Sequence, residues 1–149
     1  MDDAKKLAEL APKIMNVFHD LGRQHPADER LSMRQFQALI ILNANEKLTL
    51  TQLCDKLSLA RSTGTELVNR MIDLGLLQKQ SEKKDQRSVT LTVSAKGADL
   101  LSQRQQMLTE MFMKFLSPFT ASDRQTFVRC FEKIWELSVQ YHTRLTAAE

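Results

Sequence analysis

The chain has 149 residues, 42 % of them hydrophobic and 26 % charged, and a net charge of +3. That size and balance suit one globular domain with a core of its own. Four Gly and three Pro argue against a turn-rich all-β fold, and no run approaches the ~18 apolar residues of a membrane span. The opening Met1-Asp2-Asp3-Ala4-Lys5-Lys6 lacks the apolar stretch of a secretory signal, so a cytoplasmic protein is expected. Cys54 and Cys130 form neither a CxxC pair nor a disulfide framework.

Leu7, Leu10, Ala11, Ile14, Val17, Phe18 and Leu21 share one face of a first helix, predicted over 5–21 with Gly22 as its stop. A loop follows around Pro26. Ser32 and Gln35 then have capping-box spacing, flanked by Leu31 and Phe36 as a hydrophobic staple. This predicts a helix to about Asn45. Thr49 and Gln52 repeat the device, with Leu48 and Leu53 as the staple, and open a short helix over 50–57. Ser58-Leu59-Ala60 reads as a tight turn into a helix over 61–74, with Leu67, Val68 and Met71 inward and Gly75 as the stop.

After Gly75 the apolar period changes from 3.6 to 2. Leu77, Lys79 and Ser81 alternate with their neighbours, as do Val89, Leu91 and Val93, and the polar segment 82–87 between them is a hairpin tip. Ser94 is placed to cap a long helix bounded by Pro118. A last helix begins at Thr120 or Ser122. Phe112, Phe115, Phe119, Phe127, Phe131 and Trp135 give these two helices a large apolar load, which a second subunit accounts for better than a monomer core. The fold class is mainly α with a small β-hairpin wing. It is read as one domain over 1–149, with a winged helix-turn-helix at 31–97 and a helical dimerisation region at 1–24 and 98–149.

The charge is unevenly placed. Residues 31–97 hold ten Lys/Arg against six Asp/Glu, whereas the remainder holds eleven against twelve. The inward stripe of the helix at 61–74 leaves Arg61, Ser62, Thr65, Asn69 and Arg70 on other faces. These are donors and acceptors suited to base edges and phosphates of double-stranded DNA in a major groove. Lys83, Lys84 and Arg87 at the hairpin tip suit an adjacent minor groove. Asp85, two residues before Arg87, is placed to hold that guanidinium. Taken singly, each element also fits an ordinary solvated surface; their order along the chain favours DNA.

Residues 48–97 resemble the multiple antibiotic resistance regulator (MarR) family of bacterial transcription factors. The likeness is most specific in Asp85-Gln86-Arg87-Ser88-Val89-Thr90-Leu91-Thr92-Val93-Ser94-Ala95-Lys96-Gly97, which fits the wing pattern Asp-x-Arg, an apolar strand, then Ser-x-x-Gly entering a helix. Arg61-Ser62-Thr63 opening a helix that closes on Asp73-Leu74-Gly75-Leu76 fits the same family. The resemblance implies a homodimer with interlaced terminal helices. It also implies a minor-groove role for Arg87, oriented by Asp85, and major-groove reading by the helix that includes Arg61, Ser62, Thr63, Thr65, Asn69 and Arg70. Two positions depart from the family. Ala60 replaces its usual polar cap. Gly64 replaces an apolar residue, at about 1 kcal/mol relative to Ala in a helix interior, so local weakening of that helix is expected.

The resemblance further implies a repressor released by a small aromatic or phenolic effector, for which Met15, Phe18, His19 and Phe36 are candidate lining residues. Cys54 is expected to be a small buried thiol and Cys130 to be half-buried beside an inward Phe131, with a redox-responsive regulator acting through either as an alternative. No metal-ligand spacing, phosphate loop or nucleophile elbow is present in the sequence, so no cofactor, metal or enzymatic activity is expected. A winged-helix module for protein partners is the remaining alternative.

Overall fold

The structure, a computed structural model, describes residues 2–23, 30–81 and 89–146. Its elements run α1 (Asp2–Arg23), α2 (Met33–Ala44), β1 (Leu48–Thr49), α3 (Leu50–Leu57), α4 (Arg61–Asp73), β2 (Leu77–Ser81), β3 (Val89–Val93), α5 (Ala95–Leu116) and α6 (Ala121–Thr146). The chain falls into two compact units, Met1–Thr109 and Glu110–Glu149.

In the first unit, the local signals act where their spacing places them. Ser32 Oγ accepts from the Gln35 N–H at 3.2 Å, and Gln35 Oε1 accepts from the Ser32 N–H at 2.9 Å. Thr49 and Gln52 repeat both bonds at the same distances. Each box satisfies two backbone donors that the first helical turn leaves orphaned. Both staples are buried as well: Leu31 with Phe36, and Leu48 with Leu53.

Leu39, Leu42, Leu53, Met71, Leu76 and Leu91 are the largest fully buried side chains. They join α2, α3, α4 and the sheet in one core, to which α5 adds Leu100 and Leu101. The guanidinium of Arg104 covers this core at Phe36, 5.8 Å from the ring centroid.

Three features differ from the sequence reading. The helix α1 extends past Gly22 to Arg23, with Asp2 and Asp3 in its first turn and Arg23 in its last, where each charge complements the helix dipole. The hairpin gains a third strand: β1 pairs with β3 (Leu48↔Leu91), and β3 lies between β1 and β2. Along β2 only Leu77 is buried, so the expected alternation does not mark a core face. Beyond that residue the strand has left the core and stands out as the wing.

In the second unit, Thr120 caps α6. Its Oγ1 accepts from the Asp123 N–H at 3.2 Å and donates to the Asp123 carboxylate at 2.6 Å. Phe115, Phe119, Phe127 and Phe131 form a chain of ring contacts with centroids 4.9–5.5 Å apart. Cys130 is exposed rather than half-buried, and Phe131 beside it is itself 43 % exposed.

Candidate nucleic-acid interface

The turn from α3 to α4 is set by Ser58, which takes the left-handed conformation at φ 53°. The Leu59 N–H returns to the Cys54 carbonyl at 3.0 Å, closing the end of α3. Ala60 then precedes α4 with no side-chain cap, as its chemistry requires.

Gly64 corrects the expectation drawn from its helix propensity. It is buried, and a Cβ built there would collide with Cys54 Sγ. Gly64 and the buried Cys54 form a small-residue seam where α4 presses on α3. The propensity loss at Gly64 is thus the condition for seating α4, and the thiol fills the space that the glycine leaves.

With Gly64, Val68 and Met71 buried, helical geometry puts Ser62, Glu66 and Asn69 on the opposite, solvent-facing side. One flank carries Arg61 and Thr65. Arg61 Nη1 donates to Thr51 Oγ1 at 2.6 Å, which holds the guanidinium across the head of α3. Thr65 Oγ1 donates back to the Arg61 carbonyl at 2.8 Å. Between α3, α4 and the sheet lies an open cleft of about 420 Å³, edged by Thr51, Arg61, Thr65, Asn69 and Lys79 over Val68 and Leu91. The other flank carries Thr63 and Arg70 beside Arg34, along a second hollow of about 330 Å³. Arg70 Nη2 is 3.0 Å from Glu66 Oε1.

The far end of α4 is tied down. Gly75 takes φ +73°, which an L side chain rarely adopts. Ser94 Oγ donates to the Gly75 carbonyl and accepts from the Gly97 N–H at 3.0 Å, and Lys96 Nζ donates to the Leu74 carbonyl at 2.7 Å. A Cβ at Gly97 would strike the Leu76 carbonyl. Ser94 therefore caps α5, as its position suggested, and the head of α5 also holds the tail of α4.

The structure thus gathers Arg61, Ser62, Thr63, Thr65, Asn69 and Arg70 around one exposed helix. Lys83, Lys84, Asp85 and Arg87 lie outside the described residues. Sequence reasoning passed over Thr51, Glu66 and Lys79. The Glu66–Arg70 spacing of i, i+4 was a legible signal of an ion pair, whereas Thr51 and Lys79 join the surface only through tertiary packing.

The proposed effector residues are more dispersed. Met15 and His19 are exposed on α1, Phe18 is half-buried, and Phe36 is 6 % exposed in the core. None of them lines either cavity described above. Among the described residues no group of His, Cys, Asp or Glu has the arrangement of a metal site, and no helix is long and apolar enough to cross a membrane.

Residues 31–88 match the model of the MarR family. The chain is similar to the solved structure of a MarR family protein from Bacillus stearothermophilus, at 25 % identity over 93 % of this chain and 94 % of that one, with a TM-score of 0.70. BpsR from Bordetella bronchiseptica, whose DNA binding is regulated by 6-hydroxynicotinic acid, shares the fold at 17 % identity, covering 86 % and 91 %, with a TM-score of 0.66. A mutant of MarR from E. coli complexed with operator DNA does so at 19 % identity, covering 89 % and 96 %, with a TM-score of 0.65. Among curated proteins nothing matches the chain.

Proposed function

With residues 31–88 matching the MarR-family model and the chain sharing the fold of solved MarR-family proteins, we propose that it is a transcription regulator that binds operator DNA as a homodimer. The observation that carries this reading is α4 itself. It is anchored at both ends, it buries one side, and it turns Ser62, Asn69 and their neighbours outward between two cationic flanks. A helix presented in this way fits the major groove, where those side chains meet base edges. Arg61, held by Thr51, and Lys79 at the edge of the cleft are placed to neutralise flanking phosphates. Residues 31–97 are the DNA-reading part, and 1–24 with 98–149 are the part that pairs two subunits. Two such heads read an inverted repeat with half-sites about one helical turn apart, roughly 10 bp.

The regulation of BpsR by 6-hydroxynicotinic acid supports the same kind of control here. A small aromatic acid or phenol bound by one subunit changes the separation of the reading heads and releases the operator. Repression by occupancy, relieved by such an effector, is the mode we assign.

Selection of bound duplexes from a random library by the purified protein tests the reading. Enrichment of an inverted repeat supports a dimeric, sequence-specific regulator. Salt-sensitive binding without enrichment overturns it, since phosphate contacts alone give affinity without sequence preference. On the enriched duplex, Arg87→Ala should weaken binding about tenfold or more while leaving the sedimentation mass at two subunits, as expected for loss of one charge-assisted contact. Undiminished affinity in that variant removes the wing from the mechanism.

A further inference from the structure

We propose that Glu66 selects a cytosine in each half-site by accepting a hydrogen bond from its N4 amino group. The inference rests on the DNA-binding reading and adds a specificity-determining residue to it. Glu66 stands on the side of α4 opposite the buried Gly64, Val68 and Met71, between Ser62 and Asn69. Its side chain is 72 % exposed. A carboxylate at that point, between two rows of phosphates, is repelled by the duplex unless it receives a hydrogen bond there.

Two features make the position workable. The Arg70 guanidinium, 3.0 Å away one turn later, offsets the negative charge and restrains the carboxylate. The carboxylate is purely an acceptor, so its partners in the major groove are the amino groups of cytosine and adenine. Adenine presents its N7 lone pair beside N6, and a second carboxylate oxygen would face it. Cytosine presents N4–H with only the C5–H beside it on its own ring, so the second carboxylate oxygen can lie on that side, away from guanine O6. A carboxylate therefore favours cytosine, whereas the amide of Gln, with one acceptor and one donor, matches adenine.

The test uses the full chain and the duplex it enriches. Wild type, Glu66→Gln and Glu66→Ala are titrated by fluorescence anisotropy against that duplex and against versions with each half-site base pair replaced. Wild type should prefer cytosine by about tenfold at one position per half-site. Glu66→Gln should move that preference to adenine, and Glu66→Ala should erase it, with every other position unchanged. If Glu66→Ala instead tightens binding to all duplexes alike and keeps the wild-type base preferences, the carboxylate only repels phosphate and the inference fails. That result leaves operator recognition standing. If wild type enriches no sequence, operator recognition fails, and the cytosine contact with it.

Discussion

Gly64 carries opposite meanings in the sequence and in the fold. Read alone, a glycine inside a helix subtracts about 1 kcal/mol, and replacing it should help. Packed against Cys54 Sγ, it is the residue that lets α4 approach α3. Gly64→Ala should therefore destabilise the protein by about 1–3 kcal/mol, the usual range for an overfilled core. In a Cys54→Ala background the same change should be neutral or stabilising, because the sulfur is gone and only the propensity gain remains. Urea denaturation of the four proteins checks this, and additive effects would show that the seam does not govern the site. The sequence made Cys54 legible as a small buried residue, but not its partner. The pairing of positions 54 and 64 belongs to the crossing of two helices, which no local pattern records. Glu66 is a different case: its i, i+4 spacing to Arg70 is a local pattern, legible in the sequence and passed over.

At the scale of the elements, legibility follows the range of the interactions. Both capping boxes and both staples are made within five residues of chain, so their spacing located α2 and α3. β1 was missed because two residues cannot display a period, and its partner β3 lies some forty positions away. Lys96 and Ser94 show the same limit. Ser94 was legible as the cap of α5, while its bond to the Gly75 carbonyl and that of Lys96 to Leu74 depend on the return of the chain from the wing. The two caps should thus differ in weight. Ser32→Ala removes the exposed hydroxyl of a part-buried box, with one partner, and should cost about 1 kcal/mol. Ser94→Ala removes a buried hydroxyl with two partners, orphans the N–H of the buried Gly97, and should cost about 2–3 kcal/mol. Thermal and urea unfolding of both variants provide the comparison. Equal losses would mean that the Ser94 hydroxyl adds nothing to the junction between α4 and α5 beyond an ordinary cap.

For the whole molecule, the apolar stripe of the first helix and the aromatic load of the last were legible, and their fate in a single chain supports the second subunit. α1 buries none of its residues, and Leu7, Leu10, Ile14 and Val17 are exposed along it. On α6, Ile134, Trp135, Leu137 and Tyr141 are exposed too, with Trp135 at 73 %. Large apolar side chains left exposed along each of these helices are candidates for an interaction face. A symmetric pair would bury the same surface on both copies, and the energetic consequence for DNA follows. Two linked reading heads bind the second half-site at the high effective concentration set by the first, so joining them raises affinity about 10²–10⁴-fold without a new contact. Ile14→Glu and Trp135→Glu place a charge on exposed positions and should leave the helical circular dichroism intact. Each should shift the sedimentation mass from two subunits to one and lower operator affinity within that range, while binding to an isolated half-site stays near wild type. A wild-type protein that sediments as one subunit at tens of micromolar, or variants that keep both mass and affinity, would place the dimer contact elsewhere. The half-site control separates the loss of pairing from damage to α4, because a damaged reading helix weakens both duplexes equally.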